Sequence, residues 1–307
     1  MDTVSFYLPY LINGVTFGLL LALVALGFVL ILGVMEVVNM AHGSMFALGA
    51  YIALLIVSPE GGLPQQFGWL FDFPLSVRLG IALVVSPLIV FLVGMGLELC
   101  VRRTYGKDHL YGLLLTFGAA FVLEELIRIY WGSSERFLPI PAAISGGFIA
   151  DGIIYSVYRF YAAGFAIVVT LLLWLFLERT PYGAIIKAGV YDSEMVRALG
   201  INIKVLRMLV FGLGAALAAL AGIAMVPLWG LRPHIGLDAI IPAFVIVALG
   251  GIGSFWGAVI AAVLIGAVTG LTAAFHSGWS MVSMYILLVI VMSFRVRGLS
   301  GKISSLE

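Results

Sequence analysis

Polar and ionisable side chains are few in this sequence, and they do not form a recognisable catalytic set. Asn39 and His42 stand alone in the apolar stretch VVNMAHGSMFALGAY, residues 37–51. Because buried polar groups cost free energy unless they are partnered, such residues serve either structure or function. A lone histidine gives little support for a metal site. Cys100 is the only cysteine, so an internal disulfide is excluded.

A denser group of polar residues lies in ERTPYGAIIKAGVYDSEMVRALGINIKVLR, residues 178–207. Pro181 suits the first turn of a helix and Gly200 suits a helix C-terminus. The pattern predicts one short amphipathic helix over 182–200, either lying on a membrane surface or docking into a cleft of a soluble partner. Its apolar ridge would comprise Ile185, Ile186, Val190, Val196 and Leu199.

The composition places these groups in a membrane protein. Of the 307 residues, 63% are hydrophobic and 10% are charged, whereas about a quarter are charged in a typical globular domain. Residues 3–35, 208–231 and 239–294 contain no Asp, Glu, Lys or Arg. A bilayer core about 30 Å thick takes roughly 20 apolar residues per helix, so the sequence predicts membrane-spanning helices. The net charge of +1 gives no indication of nucleic acid.

The predicted fold is an all-α membrane protein, a polytopic helical bundle of about 8–9 membrane segments. The expected spans lie near 8–35, 37–57, 79–101, 112–131, 160–178, 207–229, 239–253, 256–275 and 279–294. The first lacks the basic flank of a secretory signal, so we expect it to be retained. The uncharged stretch 239–294 offers only about 18 residues for each of three crossings. Its helices are therefore short, or one is broken or re-entrant.

Orientation follows from the basic residues, which favour cytoplasmic loops. Lys and Arg gather in three clusters, within residues 102–107, 179–207 and 295–302. Assigning these clusters to the cytoplasm puts the N-terminus and residues 58–78, 132–159 and 230–238 outside. We also expect Glu124 and Arg128, four residues apart, to form a structural pair on one helix face. The clusters comprise Arg102, Arg103 and Lys107, then Arg179, Lys187, Arg197, Lys204 and Arg207, then Arg295, Arg297 and Lys302.

Glycine is concentrated at three places in the predicted spans. Gly14 and Gly18, Gly253 and Gly257, and Gly266 and Gly270 form GxxxG pairs, which permit close helix packing in membranes. Gly250, Gly251 and Gly253 weaken a helix locally, so we expect a break near mid-membrane that lines a path or flexes. A weak likeness between 39–57 and 242–260 hints at two related halves.

The loop 178–207 carries a resemblance to a known family. Its runs T-P-Y-G, K-A, D-S-E-M and A-L-G-I resemble the coupling-loop signature of permease subunits of ATP-binding-cassette (ABC) importers, specifically the branched-chain amino acid (LivH-like) permeases. VVNMAHGSMFALGAY and ALGGIGSFWGAVI, residues 248–260, are similar to that family's patterns. The resemblance runs from about residue 8 to 295. Gly189-Val190-Tyr191 replaces the usual alanine-rich sequence, which affects fine contacts with the ATPase.

The resemblance implies one transmembrane permease domain over 1–307, with 178–207 as the cytoplasmic coupling loop and 132–159 as an extracytoplasmic loop. It further implies a bacterial or archaeal inner membrane, a second permease (self or related), two ATPase subunits and a solute-binding protein. The ATPase-coupling residues would be Tyr182, Gly183, Lys187, Asp192, Glu194, Arg197 and Gly200. Residues of the path or gate would be Asn39, His42, Gly250, Gly251 and Gly253.

The chain is not expected to be an enzyme or to bind a cofactor, since ATP and Mg²⁺ would belong to the ATPase subunits. An ATPase needs GxxxxGK[ST], whereas residues 296–304, VRGLSGKIS, begin with Val296 and place Ile303 after the lysine. Branched-chain amino acids are the expected cargo, with urea, short amides or aromatic acids as alternatives. An ion-coupled secondary transporter would need charged residues at mid-membrane, and 239–294 has none.

Overall fold

The computed structural model describes residues 3–35, 37–150, 153–295 and 298–300. The helices are α1 Thr3–Met35, α2 Ala41–Val57, α3 Leu75–Val101, α4 His109–Trp131, α5 Ala142–Ser145, α6 Val157–Arg179, α7 Pro181–Tyr191, α8 Ser193–Ala198, α9 Ile203–Trp229, α10 Ile235–Gly250, α11 Phe255–Phe275 and α12 Ser280–Phe294. Strands β1 Gly147–Ala150 and β2 Ile153–Ser156 form an antiparallel hairpin. Arg297 and Lys302 of the third basic cluster lie outside the described residues.

Among the described residues, nine apolar helices confirm the predicted polytopic bundle, and they follow the order of the nine expected spans. Seven are long and apolar enough to cross a membrane, while α2 and α10 are shorter. α1 and α9 lie at the centre, since 83% and 78% of their most apolar 18-residue stretches are buried. The outer helices expose mostly apolar side chains, which suits contact with lipid or another membrane subunit.

Contacts between helix termini define the two ends of the bundle. At one end, here called the basic end, Arg102 at the end of α3 donates a hydrogen bond to the carbonyl of Lys204 at the start of α9. At the opposite end, here called the far end, Arg136 and Leu231 form a β-bridge just beyond α4 and α9. α3 therefore runs towards the basic end, and α4 and α9 run towards the far end.

The helices form two similar sets in opposite orientations. α3 packs against α9 through Gly94 and Gly212, and α11 packs against α1 through Gly266 and Gly14. α2 contacts α9 and α3, as α10 contacts α1 and α11. The expected likeness between halves therefore has a structural counterpart, but it relates α2 to α10 and not 39–57 to 242–260. It also explains Gly14, Gly18, Gly266 and Gly270 as residues of one close helix contact.

α2 and α10 start inside the bundle. They have 17 and 16 residues, or about 25 Å, whereas the 27 residues of α9 span about 40 Å. Gly43 in the first turn of α2 touches the backbone of Gly236 in the first turn of α10. α2 then runs to the far end and α10 to the basic end. Two half-length helices therefore begin side by side and diverge.

The prediction that 230–238 forms an outside loop is wrong. After α9 the chain turns at Gly230, whose φ is +75°, and folds back between the helices. His234 contacts the carboxylate of Glu124, which lies seven residues before the end of α4 at Trp131. Seven helical residues correspond to about 10 Å. The sequence could not predict this return, because a five-residue connection does not show whether it stays outside the bundle or folds back into it.

The uncharged stretch 239–294 forms most of α10 and all of α11 and α12, which have 16, 21 and 15 residues. The helix does break at the glycines, with φ of +97° at Gly251 and +77° at Gly253. The predicted depth of that break is wrong, because Gly253 lies against Gly33 in the last turns of α1, near the basic end. Gly257 packs on Gly250 across the α10–α11 turn, so this GxxxG pair is not a second interhelical seam of the Gly14 type.

The close packing of α1 on α11 predicts how a substitution at Gly266 changes the stability of the protein. A Cβ at Gly266 would overlap the carbonyl oxygen of Gly14, so Gly266→Ala should cost about 1–3 kcal/mol and lower the unfolding midpoint in detergent. Gly118 on α4 is the matched control, since a Cβ there meets nothing within 4 Å. Gly118→Ala should be neutral or stabilise by up to about 1 kcal/mol. Equal midpoints for the two variants would contradict the packing.

Candidate functional site

The loop between α6 and α9 forms a platform at the basic end. Thr180 caps α7 by accepting a hydrogen bond from the Gly183 amide at 3.1 Å, and Pro181 occupies the first helical position as predicted. A Cβ at Gly183 would overlap the backbone of Leu177. Glycine at this position therefore lets α7 fold tightly back against the end of α6.

The predicted single helix over 182–200 is instead two helices. α7 ends at Tyr191, and Asp192 takes an extended conformation with φ of −154°. Its carboxylate accepts hydrogen bonds from the amides of Glu194 at 3.0 Å and Met195 at 2.8 Å, so it is the N-cap of α8. An aspartate in mid-helix competes with the helix for these amides, which is why α7 cannot continue. Gly200, with φ of +84°, follows α8 as expected.

The predicted apolar ridge is divided between the chain's own core and the surface. Ile186 and Val196 are buried against the chain's own helices, and Val190 is half-buried. Leu199 of the ridge is 72% exposed, and it lies on the outward surface with Tyr182 and Met195, which are 69% and 57% exposed. Helical periodicity shows that one face is apolar, but it cannot show what covers that face.

Charged residues surround this exposed apolar surface. Lys187 forms an ion pair with Glu178 at the end of α6, with Nζ and Oε2 2.8 Å apart. Glu194 and Arg197 are exposed, and neither has an ion-pair partner among the described residues. We name Tyr182, Glu194, Met195, Arg197 and Leu199 the docking face.

The inner side of α7 faces the turn between α10 and α11. Val190, Gly33 of α1 and Gly253 line the same cavity, so two of the candidate sites are neighbours across it. This cavity of about 140 Å³ lies between α1, α6, α7 and α11. Its wall includes Leu30, Trp174, Lys187, Val190, Gly253 and Trp256. Gly33 and Gly253 have no side chains, so they leave space where α1, α7 and the α10–α11 turn approach one another.

Asn39 and His42 are both fully buried at the start of α2. Asn39 Oδ1 accepts a hydrogen bond from the Ala41 amide at 3.1 Å, and His42 Nε2 lies 2.9 Å from the carbonyl oxygen of Val24. Thr116 of α4 accepts from the Met40 amide at 3.2 Å. These contacts favour the capping role for Asn39. They give the pair no opening to an exposed path, and the path role stays a prediction.

The predicted pair of Glu124 and Arg128 is wrong. Arg128 bonds Glu125 instead, with Nη2 and Oε1 2.7 Å apart on the exposed face of α4. Glu124 belongs to the buried stripe of α4 and contacts His234. Arg232 and Asp238 form another unforeseen pair, with Nη2 and Oδ2 2.9 Å apart. The sequence offers one signal for the Arg232–Asp238 pair, because these charges stand at the start of an apolar segment, α10, that is too short to cross the bilayer.

The comparisons identify the family. A family model described as the permease component of the branched-chain amino acid transport system matches residues 10–292. The chain belongs to this family. It is 30% identical to the high-affinity branched-chain amino acid transport system permease protein BraD of Pseudomonas aeruginosa, over 98% of both chains.

Two further relatives agree with this assignment. The permease protein LivH of Escherichia coli K12 is 27% identical, over 97% of this chain and 96% of that protein. A probable LivH of Methanocaldococcus jannaschii is 24% identical, over 92% and 87%. The resemblance seen in the sequence is confirmed, and so is the prediction of a multi-pass transport permease. These relatives are named as transport permeases, and they come from bacteria and an archaeon.

The α7–α8 break yields a second prediction. Asp192→Ala removes both cap hydrogen bonds and should destabilise α8 by about 1 kcal/mol, whereas Asp192→Asn retains an acceptor and should cost less. Amide exchange in 194–199 should speed up about fivefold in Asp192→Ala, as read by mass spectrometry. Exchange in α9 serves as the internal reference. Unchanged exchange in α8 would mean that Asp192 does not cap it.

Proposed function

We propose that this chain is the translocating subunit of an ATP-driven importer for branched-chain or other small amino acids. Membership of the permease family carries the proposal. The docking face supports it, because an exposed apolar patch ringed by charges is typical of a site for a protein partner. In this proposal the basic end faces the cytoplasm of a bacterial or archaeal cell.

The partners follow from the class of transporter. A second permease, identical or related, would complete the path, and two ATPase subunits would bind the docking faces. A solute-binding protein would deliver the amino acid at the far end. ATP and Mg²⁺ would be bound by the ATPases, so this chain would need no cofactor of its own and would hydrolyse nothing.

The geometry suggests how ATPase movement would reach the membrane helices. A push on Tyr182 or Leu199 would move α7, whose Val190 faces Gly33 and Gly253 across a shared cavity. The ion pair of Lys187 and Glu178 would move the end of α6 with it. Gly251 and Gly253 have positive φ, so the α10–α11 turn is a place where the backbone can bend without side-chain clashes. Gly250, Gly251 and Gly253 would then act as a hinge at the cytoplasmic end.

Two rivals are distinguished by the energy source and the cargo. The argument against an ion-coupled transporter rested on 239–294, yet Glu124, Arg232 and Asp238 lie among the helices. An ion-coupled transporter would move its substrate without ATP. An importer for urea, amides or aromatic acids would keep the ATP requirement and differ only in what the binding protein delivers.

The docking face gives the third prediction. Glu194→Arg with Arg197→Glu keeps the net charge but reverses the local pattern, so it should lower stimulation of the ATPase by loaded binding protein at least tenfold. The assay uses proteoliposomes that contain the whole complex, with leucine as cargo. Lys107→Glu, exposed at the same end but outside the loop, should have little effect.

Two outcomes would contradict the proposal. Leucine uptake without ATP hydrolysis in the wild type would favour the ion-coupled rival. Full stimulation in the double variant would show that Glu194 and Arg197 do not register the ATPase. Copurification of the subunits is measured in parallel, so that loss of coupling is separated from loss of assembly.

A further inference from the structure

Four ionisable side chains lie together where α10 begins, and the coupling account does not use them. Arg232 and Asp238 form an ion pair, and His234 contacts Glu124. Glu124 is 7% exposed, while the side chains of Arg232, His234 and Asp238 are 49%, 68% and 43% exposed. We name these four residues the polar cluster.

The polar cluster lies at membrane depth. Glu124 is about 10 Å below the far end of α4, counted from Trp131. α10 starts at Ile235 next to the contact of Gly236 with Gly43, and from there it runs to the basic end. Asp238, in the first turn of α10, therefore lies at a similar depth, although its side chain is exposed on the surface of the chain.

This depth excludes lipid as the covering of the cluster. Charged side chains at membrane depth almost always face a protein interior or a water-filled cavity, because hydrocarbon cannot solvate them. Three of the four side chains are nevertheless open on the surface of this single chain. In the assembled transporter the face that carries them must therefore meet either a partner subunit or an aqueous space, and the apolar stripe beside it favours a space that receives the cargo.

The first turns of α2 and α10 are capped differently. At α2 the Ala41 amide donates to Asn39 Oδ1 and the Met40 amide donates to Thr116 Oγ1, and Asn39 and Thr116 are fully buried. At α10 the amides of Ile235 and Leu237 donate to the backbone carbonyls of Arg232 and His234. The exposed guanidinium of Arg232, which pairs with Asp238 in the first turn, lies beside the positive end of the α10 dipole.

An apolar stripe continues from the polar cluster along α10. Leu237, Ile241 and Phe244 are 39%, 49% and 44% exposed and share one helix face. Acid and base groups next to an apolar stripe complement a molecule with an ammonium, a carboxylate and an aliphatic side chain. Branched-chain amino acids have this chemistry.

We propose that the polar cluster holds the zwitterionic head of the transported amino acid within the permease, with its aliphatic side chain on the stripe of α10. Arg232, beside the positive end of the α10 dipole, binds the carboxylate, and Asp238 with Glu124 binds the ammonium. The proposal rests on the proposed cargo. It does not depend on the energy source.

Cysteine accessibility tests the aqueous face. In a Cys100→Ala chain assembled with its partner subunits, Leu237→Cys is treated with a membrane-impermeant anionic methanethiosulfonate. Ile89→Cys on α3 is the matched control, because Ile89 is also 39% exposed. Thiols react as thiolates, which form in water and not in lipid. Leu237→Cys should react at least ten times faster, and equal rates would overturn the proposal.

Protection of Leu237→Cys tests the occupant. Leucine should slow its modification, whereas 4-methylpentanoate, which lacks the ammonium, and 3-methylbutylamine, which lacks the carboxylate, should protect at least tenfold less well. Asp238→Asn should abolish the preference for leucine over 4-methylpentanoate, and Asp238→Glu should restore it. A purely structural Asp238 would leave this preference unchanged.

The result is independent of ATPase coupling, because labelling is done without ATP or binding protein. Absence of protection by leucine, or equal protection by all three compounds, would overturn the proposal. A wild-type complex that shows leucine-specific protection but no ATPase stimulation would contradict only the importer mechanism.

Discussion

The contact between Gly43 and Gly236 is the constraint on which the rest of the structure depends. Two helices can begin side by side within the bundle only if their first turns touch backbone to backbone, and a Cβ at either position would overlap the other chain segment. That contact sets the depth of both helix starts. It obliges the chain to fold back after α1 and after α9, which brings Asn39 and His234 to membrane depth.

The two returns have different consequences because their polar groups are satisfied differently. Residues 37–40 are bound by Thr116 and by the Asn39 side chain, so the start of α2 is a closed part of the core. Residues 230–234 leave ionisable groups open to the surface. Because lipid cannot solvate these groups, they require a partner subunit or a water-filled space beside α10. The α7–α8 loop lies near the other end of α10, where Val190 and Gly253 line one cavity.

The sequence predicted the parts of the fold that depend on hydrophobic length and charge. The nine apolar helices in the part of the chain that the structure describes were all predicted. The first turn at Pro181 and the exit at Gly200 followed from local backbone preferences. Positions in depth could not be predicted, because an apolar stretch reads the same whether it crosses the layer or starts inside it. The helix break at Gly251 and Gly253 was predicted but placed too deep for this reason.

Side-chain partners were the least predictable part of the candidate site. Glu124 has Arg128 one turn away, yet it turns towards a histidine 110 residues later, which no local spacing shows. The end of α7 was different, since Asp192 followed by Ser193 and Glu194 is a capping sequence that could have been recognised. Family membership supplied the general activity, while the contacts that would perform it came from the three-dimensional structure.

The return of 230–234 into the bundle is tested most directly by a pair of cross-links in a Cys100→Ala chain. The structure predicts that Glu124→Cys and His234→Cys are joined by a short bifunctional thiol reagent, as detected by mass spectrometry. It predicts no link between Tyr130→Cys, at the far end of α4, and His234→Cys. A link to position 130 without one to 124 would place the segment outside the bundle and contradict the account.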